Sequence, residues 1–279
     1  MKQYLDLCKL VLKKGLRKPN RTGVDTIGIQ GAMMQFDLEE GFPAVTTKKL
    51  YWKSCFAEML GFLRGYHSAQ QFRTLGCKVW DANANENEQW LTSGARKGRD
   101  DLGRIYGVQA RDWSGPWGKV DQLRQVVDDL TRGIDNRREI VTHWNPGELC
   151  EMALPPCHLL YQFGIQGHRL NLSMYQRSCD MPLGVPFNIA GYAWLLSVIA
   201  RVTGLTPGTF THFLHDVHVY VNQVPLLKEQ IKRKPHKLPK LVIAPAVHTL
   251  EDLETWVAPD CFELKHYKHD GAIAYPFTV

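Results

Sequence analysis

Three short segments carry side chains that could do chemistry together. The first is Leu154-Pro155-Pro156-Cys157-His158, a thiol held just past two prolines at the mouth of a strand-like run. As a thiolate, Cys157 would be a strong soft nucleophile, provided cations lower its pKa from about 8.5. His158 is a poor direct base for it, because adjacent side chains on a strand point to opposite faces. The second is Gln176-Arg177-Ser178-Cys179-Asp180, followed by Leu183-Gly184-Val185-Pro186-Phe187-Asn188. Here a guanidinium fork and a hydroxyl match phosphate oxygens. Asn188 opens a helix and is either its N-cap or an amide able to read a base. The third is Asp216, His218 and Tyr220, spaced by two on a strand and so facing one side, where they can hydrogen-bond a sugar hydroxyl. Arg21 and the Arg137-Arg138 pair supply further forks. Taken singly, each segment could equally be a buried thiol, a cap, a solvated turn or a polar strand face.

These residues need elements to position them. Tyr4, Leu5, Cys8, Val11 and Leu12 share a helical face that stops near Gly15. Strand-like runs at 27–29 and 33–36 flank Gly31. Residues 53–63 read as a helix with Phe56, Met59, Leu60 and Leu63 inward, and Glu58 is embedded in that stripe. A further helix is marked by Val120, Leu123, Val126, Val127 and Leu130. Segments 159–165 and 169–175 read as a hairpin, 188–202 as an apolar helix, 209–219 as a strand and 241–244 as a short strand. Residues 83–101 are polar and weakly patterned, which predicts a loop insertion. Strands and helices alternate irregularly, so the expected class is α/β of the α+β type, a mixed sheet with helices packed on it.

The 279 residues, 44% of them apolar, suffice for a full core, and no composition break divides them, so one domain over 1–279 is expected. Nothing approaches the roughly 18 uninterrupted apolar residues of a membrane span, and the N-terminus lacks a signal-peptide pattern, which predicts a cytoplasmic protein. Seven cysteines without a CxxC pair or zinc-ligand spacing predict reduced thiols and no metal. The formal charge of +6 is scattered, so it fits a small polyanion as well as nucleic acid.

In their order along the chain, Glu58, Trp80-Asp81, Tyr106-Gly107, Arg137-Arg138, Pro156-Cys157-His158, Gln176 to Asp180, Pro186 to Ala190 and His218-Val219-Tyr220 resemble the thymidylate synthase family. Arg21-Thr22-Gly23, Gly41-Phe42-Pro43 and Thr46-Thr47-Lys48 add to a resemblance that spans the chain from end to end. It implies a three-layer fold whose sheet forms a dimer interface. It also implies one-carbon transfer from 5,10-methylenetetrahydrofolate, as co-substrate, to C5 of dUMP. In that scheme Cys157 adds to C6 of the pyrimidine, the phosphate lies among Arg21, Arg177 and Ser178, and Gln176 also binds the nucleotide. Arg137 and Arg138 reach the phosphate from the other subunit, and these positive charges help keep Cys157 a thiolate. Asn188 reads uracil; His218 and Tyr220 hold the sugar. Glu58 moves protons through water in a network with Tyr106 and His158. Asp180 binds the pterin, and Trp80, Leu154, Leu183, Gly184, Phe187 and the C-terminal Val279 enclose the folate.

Several positions depart from the family pattern: Gly61 and Ala110 stand where indoles are usual, Ala82-Asn83 replace Glu-Trp, Leu214-His215 replace two glycines, and Val217 replaces a threonine. Rings missing around a cofactor pocket would admit water. The favoured expectation is therefore capture of the exocyclic methylene by water, giving 5-hydroxymethyl-dUMP, as in phage hydroxymethylases of this family; a phage-encoded enzyme acting in a host cytoplasm would fit. The alternative is reductive methylation to dTMP with repacking around the changes. A silent homologue binding nucleotide or RNA ranks third, because it would need no activated thiol beside a buried carboxylate.

Overall fold

The computed structural model describes residues 1–277. In chain order its elements are α1 (Lys2–Lys14), β1 (Leu16–Lys18), β2 (Thr26–Asp37), α2 (Trp52–Leu63), α3 (Ala69–Thr74), α4 (Asp81–Asn85), α5 (Glu88–Leu91) and α6 (Tyr106–Arg111). There follow β3 (Trp113–Gly115), β4 (Gly118–Val120), α7 (Gln122–Thr131), β5 (Ile140–Thr142), β6 (His158–Gln166), β7 (Arg169–Asp180) and α8 (Gly184–Val202). The chain closes with β8 (Thr206–Tyr220), α9 (Val224–Gln230), β9 (Lys240–Ile243), α10 (Leu250–Glu254) and β10 (Phe262–Lys265).

Six strands form one sheet in the order β1-β2-β8-β7-β6-β5, with β7 and β8 parallel and the other neighbours antiparallel. The sheet is therefore mixed, as the irregular alternation predicts. The expected hairpin is β6–β7, closed by a two-residue turn between Gln166 and Arg169. The two runs around Gly31 are a single strand, β2, paired along most of its length with β8.

Helix α8 lies on β7 and β8, and α2 lies on α8, which gives three layers. Apolar on all sides, α8 is long enough to span a membrane, yet 78% of its apolar window is buried inside the fold. Close approach of α2 depends on Gly191, where a Cβ would stand 3.1 Å from Met59 Sδ. Phe56 then stacks on Trp194 with centroids 5.7 Å apart, and this contact fixes the helix that carries Glu58.

Segment 83–101 is more ordered than its polar sequence predicts. It holds the end of α4 and all of α5, and the Trp90 ring is buried with its Nε1 donating to the Asp101 carbonyl at 2.7 Å. The Asn85 side chain bonds Asp100 twice, at 2.8 and 3.0 Å, and Arg73 pairs with Asp100 at 2.6 Å. These contacts join residues that are distant in sequence, so no local pattern announces them.

Candidate active site

Cys157 stands at the entrance to β6 and opens into a cleft of about 870 Å³. The same cleft is lined by Arg21, Arg177, Ser178, Asp216, His218 and Tyr220, so all three chemical segments reach it. Leu154 and Asn83 also line it, as do Lys18, Asn20, Glu88 and Trp90, which the sequence reading did not single out.

Cys157 is held from two sides. Its backbone N–H donates to the Tyr106 hydroxyl at 2.7 Å. Its carbonyl accepts from Arg177 N at 2.8 Å, while the Arg177 guanidinium donates to the carbonyls of Pro156 (2.7 Å) and Pro155 (3.1 Å). Arg177 thus braces the proline segment as well as facing the cleft. Burial raises the Cys157 thiol, with Arg177, the Tyr106 hydroxyl and Arg21 opposing that rise. Within one chain burial prevails, while Arg177 and Arg21 act in the direction expected from sequence, toward the thiolate.

Beneath Cys157 lies an aromatic floor. Tyr106 stacks on His158 (4.3 Å) and on Phe62 (4.9 Å), and His158 Nδ1 lies 2.8 Å from the Tyr192 hydroxyl. Burial drives the His158 imidazole well below its usual pKa, which favours its neutral form. Glu58 lies in a different setting. Its Oε1 accepts from Trp80 Nε1 at 3.0 Å, and burial pushes the carboxyl up to about 7 against that single hydrogen bond. A carboxyl near neutrality can both give and take a proton at working pH.

On the opposite wall, Asp216 Oδ1 lies 3.1 Å from His218 Nδ1 and its Oδ2 accepts from Lys18 Nζ at 2.5 Å. His218 and Lys18 hold this carboxyl well below the usual carboxylate range. The Tyr220 ring meets His218 edge-on, at 5.5 Å. Asp180, at the end of β7, accepts from Leu183 N and from Gln223 Nε2, both at 3.4 Å; burial raises its pKa. Gln223 also donates to the Pro276 carbonyl at 3.1 Å, tying the C-terminal segment to Asp180. Val279 lies outside the described residues.

Asn188 sits one turn inside α8, not at its start, since the helix begins at Gly184; the N-cap reading therefore fails. Its Oδ1 accepts from Gln176 Nε2 at 3.0 Å and lies 3.7 Å from where a Cβ on Gly184 would stand. Leu183 and Phe187 are partly buried nearby in sequence, packed against the core. Arg137 and Arg138 do not line this chain's cleft. They occupy an exposed turn with Arg137 at a φ of 68°, braced by the buried Glu139 carboxylate, which accepts from the N–H groups of Asn136 (3.2 Å) and Arg138 (3.1 Å). A non-glycine residue at positive φ is strained and persists where the surroundings enforce it.

Of these departures, only Asn83 is among the described residues that line the cleft. Gly61 leaves no opening: a Cβ there would stand 2.3 Å from the Phe72 ring, which stacks on Trp80 at 6.0 Å. Phe72 fills the space of the missing indole. Ala110 is buried within α6, and His215 is exposed beside Phe213 on β8.

Against known proteins, the family model described as thymidylate synthase matches residues 2–279. Proteins named thymidylate synthase from Shewanella loihica, Idiomarina loihiensis and Aliivibrio fischeri are 48%, 47% and 47% identical, each over 283 aligned positions covering 100% of both chains.

Proposed function

We propose that this chain, which belongs to the thymidylate synthase family, transfers a one-carbon unit from 5,10-methylenetetrahydrofolate to C5 of dUMP and completes the transfer by hydride, yielding dTMP. The observation that carries the reading is the convergence of Cys157, Arg21, Arg177, Ser178, Asp216, His218 and Tyr220 on one cleft. A thiol, phosphate-binding cations and a sugar-binding pair are the parts that nucleotide activation needs.

In this reading Cys157 adds to C6 of the uracil, and electron density moves to C5, which attacks the folate's methylene carbon as its bond to N10 breaks. Loss of the C5 proton then expels the folate N5 and leaves an exocyclic methylene. Arg21, Arg177 and Ser178 grip the phosphate, Gln176 steadies Asn188 against the base, and His218 with Tyr220 holds the sugar. Glu58, at about 7, moves protons around O4 and the folate. Tyr106 and His158 support this from below, Tyr106 through the Cys157 amide. Asp180 takes the pterin, and Trp80, Leu154, Leu183, Gly184 and Phe187 enclose the folate, which then returns hydride to the exocyclic methylene, becoming dihydrofolate as the Cys157 thiolate leaves C6.

Hydride completion replaces the water capture expected from sequence, for two reasons. The relatives at 47–48% identity carry the name thymidylate synthase. Of the changes invoked to admit water, Asn83 lines the cleft but the other three do not: Phe72 occupies the space beside Gly61, Ala110 is buried, and His215 lies on the outer face of β8 beside Phe213.

The reading includes a homodimer. Met33, Phe213, Tyr175 and Leu160 are in register across β2, β8, β7 and β6, and they are 55%, 41%, 36% and 37% exposed. Such a contiguous apolar row suits a second copy of the sheet. Arg137 and Arg138, turned away from their own cleft, then serve the partner's phosphate site. One catalytic domain spanning the chain completes the proposal.

The test is adduct formation. Incubated with 5-fluoro-dUMP and methylenetetrahydrofolate, the protein should gain the mass of both ligands, and C157S should gain neither. An unmodified wild-type mass would refute the covalent mechanism and favour a binding-only homologue.

A further inference from the structure

The geometry points to His212 as a positioning residue that fixes which way round the Asn188 amide faces the base, and so selects uracil over cytosine. The inference rests on the nucleotide reading above and deepens it.

A side-chain amide is nearly symmetric in shape, and only its neighbours decide which end is oxygen. The choice matters here, because the two pyrimidines present opposite patterns. Uracil offers N3–H as donor and O4 as acceptor, whereas cytosine offers N3 as acceptor and an N4 amino group as donor. An Asn188 amide turned one way matches uracil; turned the other way it matches cytosine.

Three hydrogen bonds leave no freedom in that choice. Gln176 Nε2 lies 2.9 Å from the Ser178 carbonyl, which can only accept, so this end of the Gln176 amide is NH₂. The same nitrogen lies 3.0 Å from Asn188, whose facing atom must therefore be the oxygen Oδ1. The remaining end of Gln176, Oε1, lies 2.8 Å from His212 Nε2, which must donate to it. His212 thus carries its proton on Nε2, and its Nδ1 is buried with no partner among the described residues. A proton on Nδ1 would be an orphaned buried donor, an unfavourable state. Burial pushes the imidazole down to about 3, so it stays neutral across the working range.

The fold makes the arrangement rigid. Met174 and His212 are partners across the parallel β7–β8 pair, and Gln176, two residues on, shares Met174's face. Gln176 and His212 are 2% and 0% exposed, and the Phe210 ring stacks on His212 at 5.7 Å. His212 is not among the residues lining the cleft and acts through Gln176.

The experiment compares dissociation constants for dUMP and dCMP, by calorimetry, in wild type, H212F and H212Q. Phenylalanine keeps the ring but loses the donor; glutamine can place an N–H where Nε2 stood. H212F should lose at least about tenfold of the dUMP preference, equivalent to about 1.4 kcal/mol, and H212Q should regain most of it. Equal weakening of both nucleotides, or an unchanged preference in folded H212F, would overturn the relay while leaving the proposed function intact. Wild-type protein that ignores dUMP would instead overturn the proposed function. Independently of any variant's folding, ¹⁵N-histidine spectra of wild type, with His212 assigned by its absence from H212Q, should show an Nε2–H tautomer from about pH 5 to about pH 9. An Nδ1–H tautomer would overturn the inference.

Discussion

Replacing Glu58 by glutamine should stabilise the protein, and more so at alkaline pH. In the folded chain burial raises this carboxyl to about 7 from an ordinary 4.5, opposed only by the Trp80 hydrogen bond. The folded state therefore disfavours the charged form, and the unfolded chain releases the proton first. Stability is intact below pH 4.5 and falls as pH rises through the interval from 4.5 to about 7, after which the deficit is constant. From that shift the deficit is about 3 kcal/mol at pH 8 and about 1 kcal/mol at pH 5. A glutamine in this place does not titrate, and its amide oxygen can still accept from Trp80. E58Q should thus gain about 2 kcal/mol more over wild type at pH 8 than at pH 5, in denaturant unfolding at fixed protein concentration. The same variant should lose about 10²–10⁴ in turnover, the usual contribution of a positioned proton-transfer group. A stability difference independent of pH would show that the carboxyl titrates normally in the fold, and the assignment of Glu58 as the neutral-pH proton carrier would fail.

Three other perturbations test separate parts of the account. R21M removes one of the cations opposing the burial of Cys157, so the thiol pKa rises; alkylation at pH 8 should slow a few-fold with the unfolding midpoint unchanged. G61A should destabilise by about 1–3 kcal/mol despite removing a helical glycine, because its methyl meets the Phe72 ring, and F72A in the same chain should relieve part of that penalty in a double-mutant cycle. F213R, placed in the exposed apolar row, should shift the sedimentation coefficient from dimer to monomer and weaken dUMP binding; a dimer that persists would place the interface elsewhere.

Much of the scaffold is legible in the sequence because its signals are local. The face made by Tyr4, Leu5, Cys8 and Val11 marks α1, and the β6–β7 hairpin follows from two strand-like runs around Gly167. The pattern places the start of α8 four residues late, since Pro186 masks a helix that tolerates it in the first turn. Helix α6 is only six residues long and offers no periodicity to read. Order in 83–101 derives from Trp90 meeting Asp101 and Asn87 meeting the Ala153 carbonyl, contacts made only in the folded chain.

The site divides in the same way. A carboxylate inside an apolar stripe marks Glu58, and the prolines mark Cys157. The Tyr106–Cys157 contact spans 51 positions and His212–Gln176 spans 36, beyond any spacing rule. The filling of the Gly61 position by Phe72 is equally hidden, and that is why a missing ring looks, in sequence, like an opening for water.

The most direct measurement is a single-turnover experiment. Purified protein is mixed with dUMP and methylenetetrahydrofolate, the nucleotide product is identified by mass, and dihydrofolate is followed by its absorbance. The account predicts dTMP with one dihydrofolate for each nucleotide converted. Formation of 5-hydroxymethyl-dUMP without dihydrofolate would contradict it, and would mean that water reaches the methylene despite the packing of Phe72 against Gly61 and Trp80.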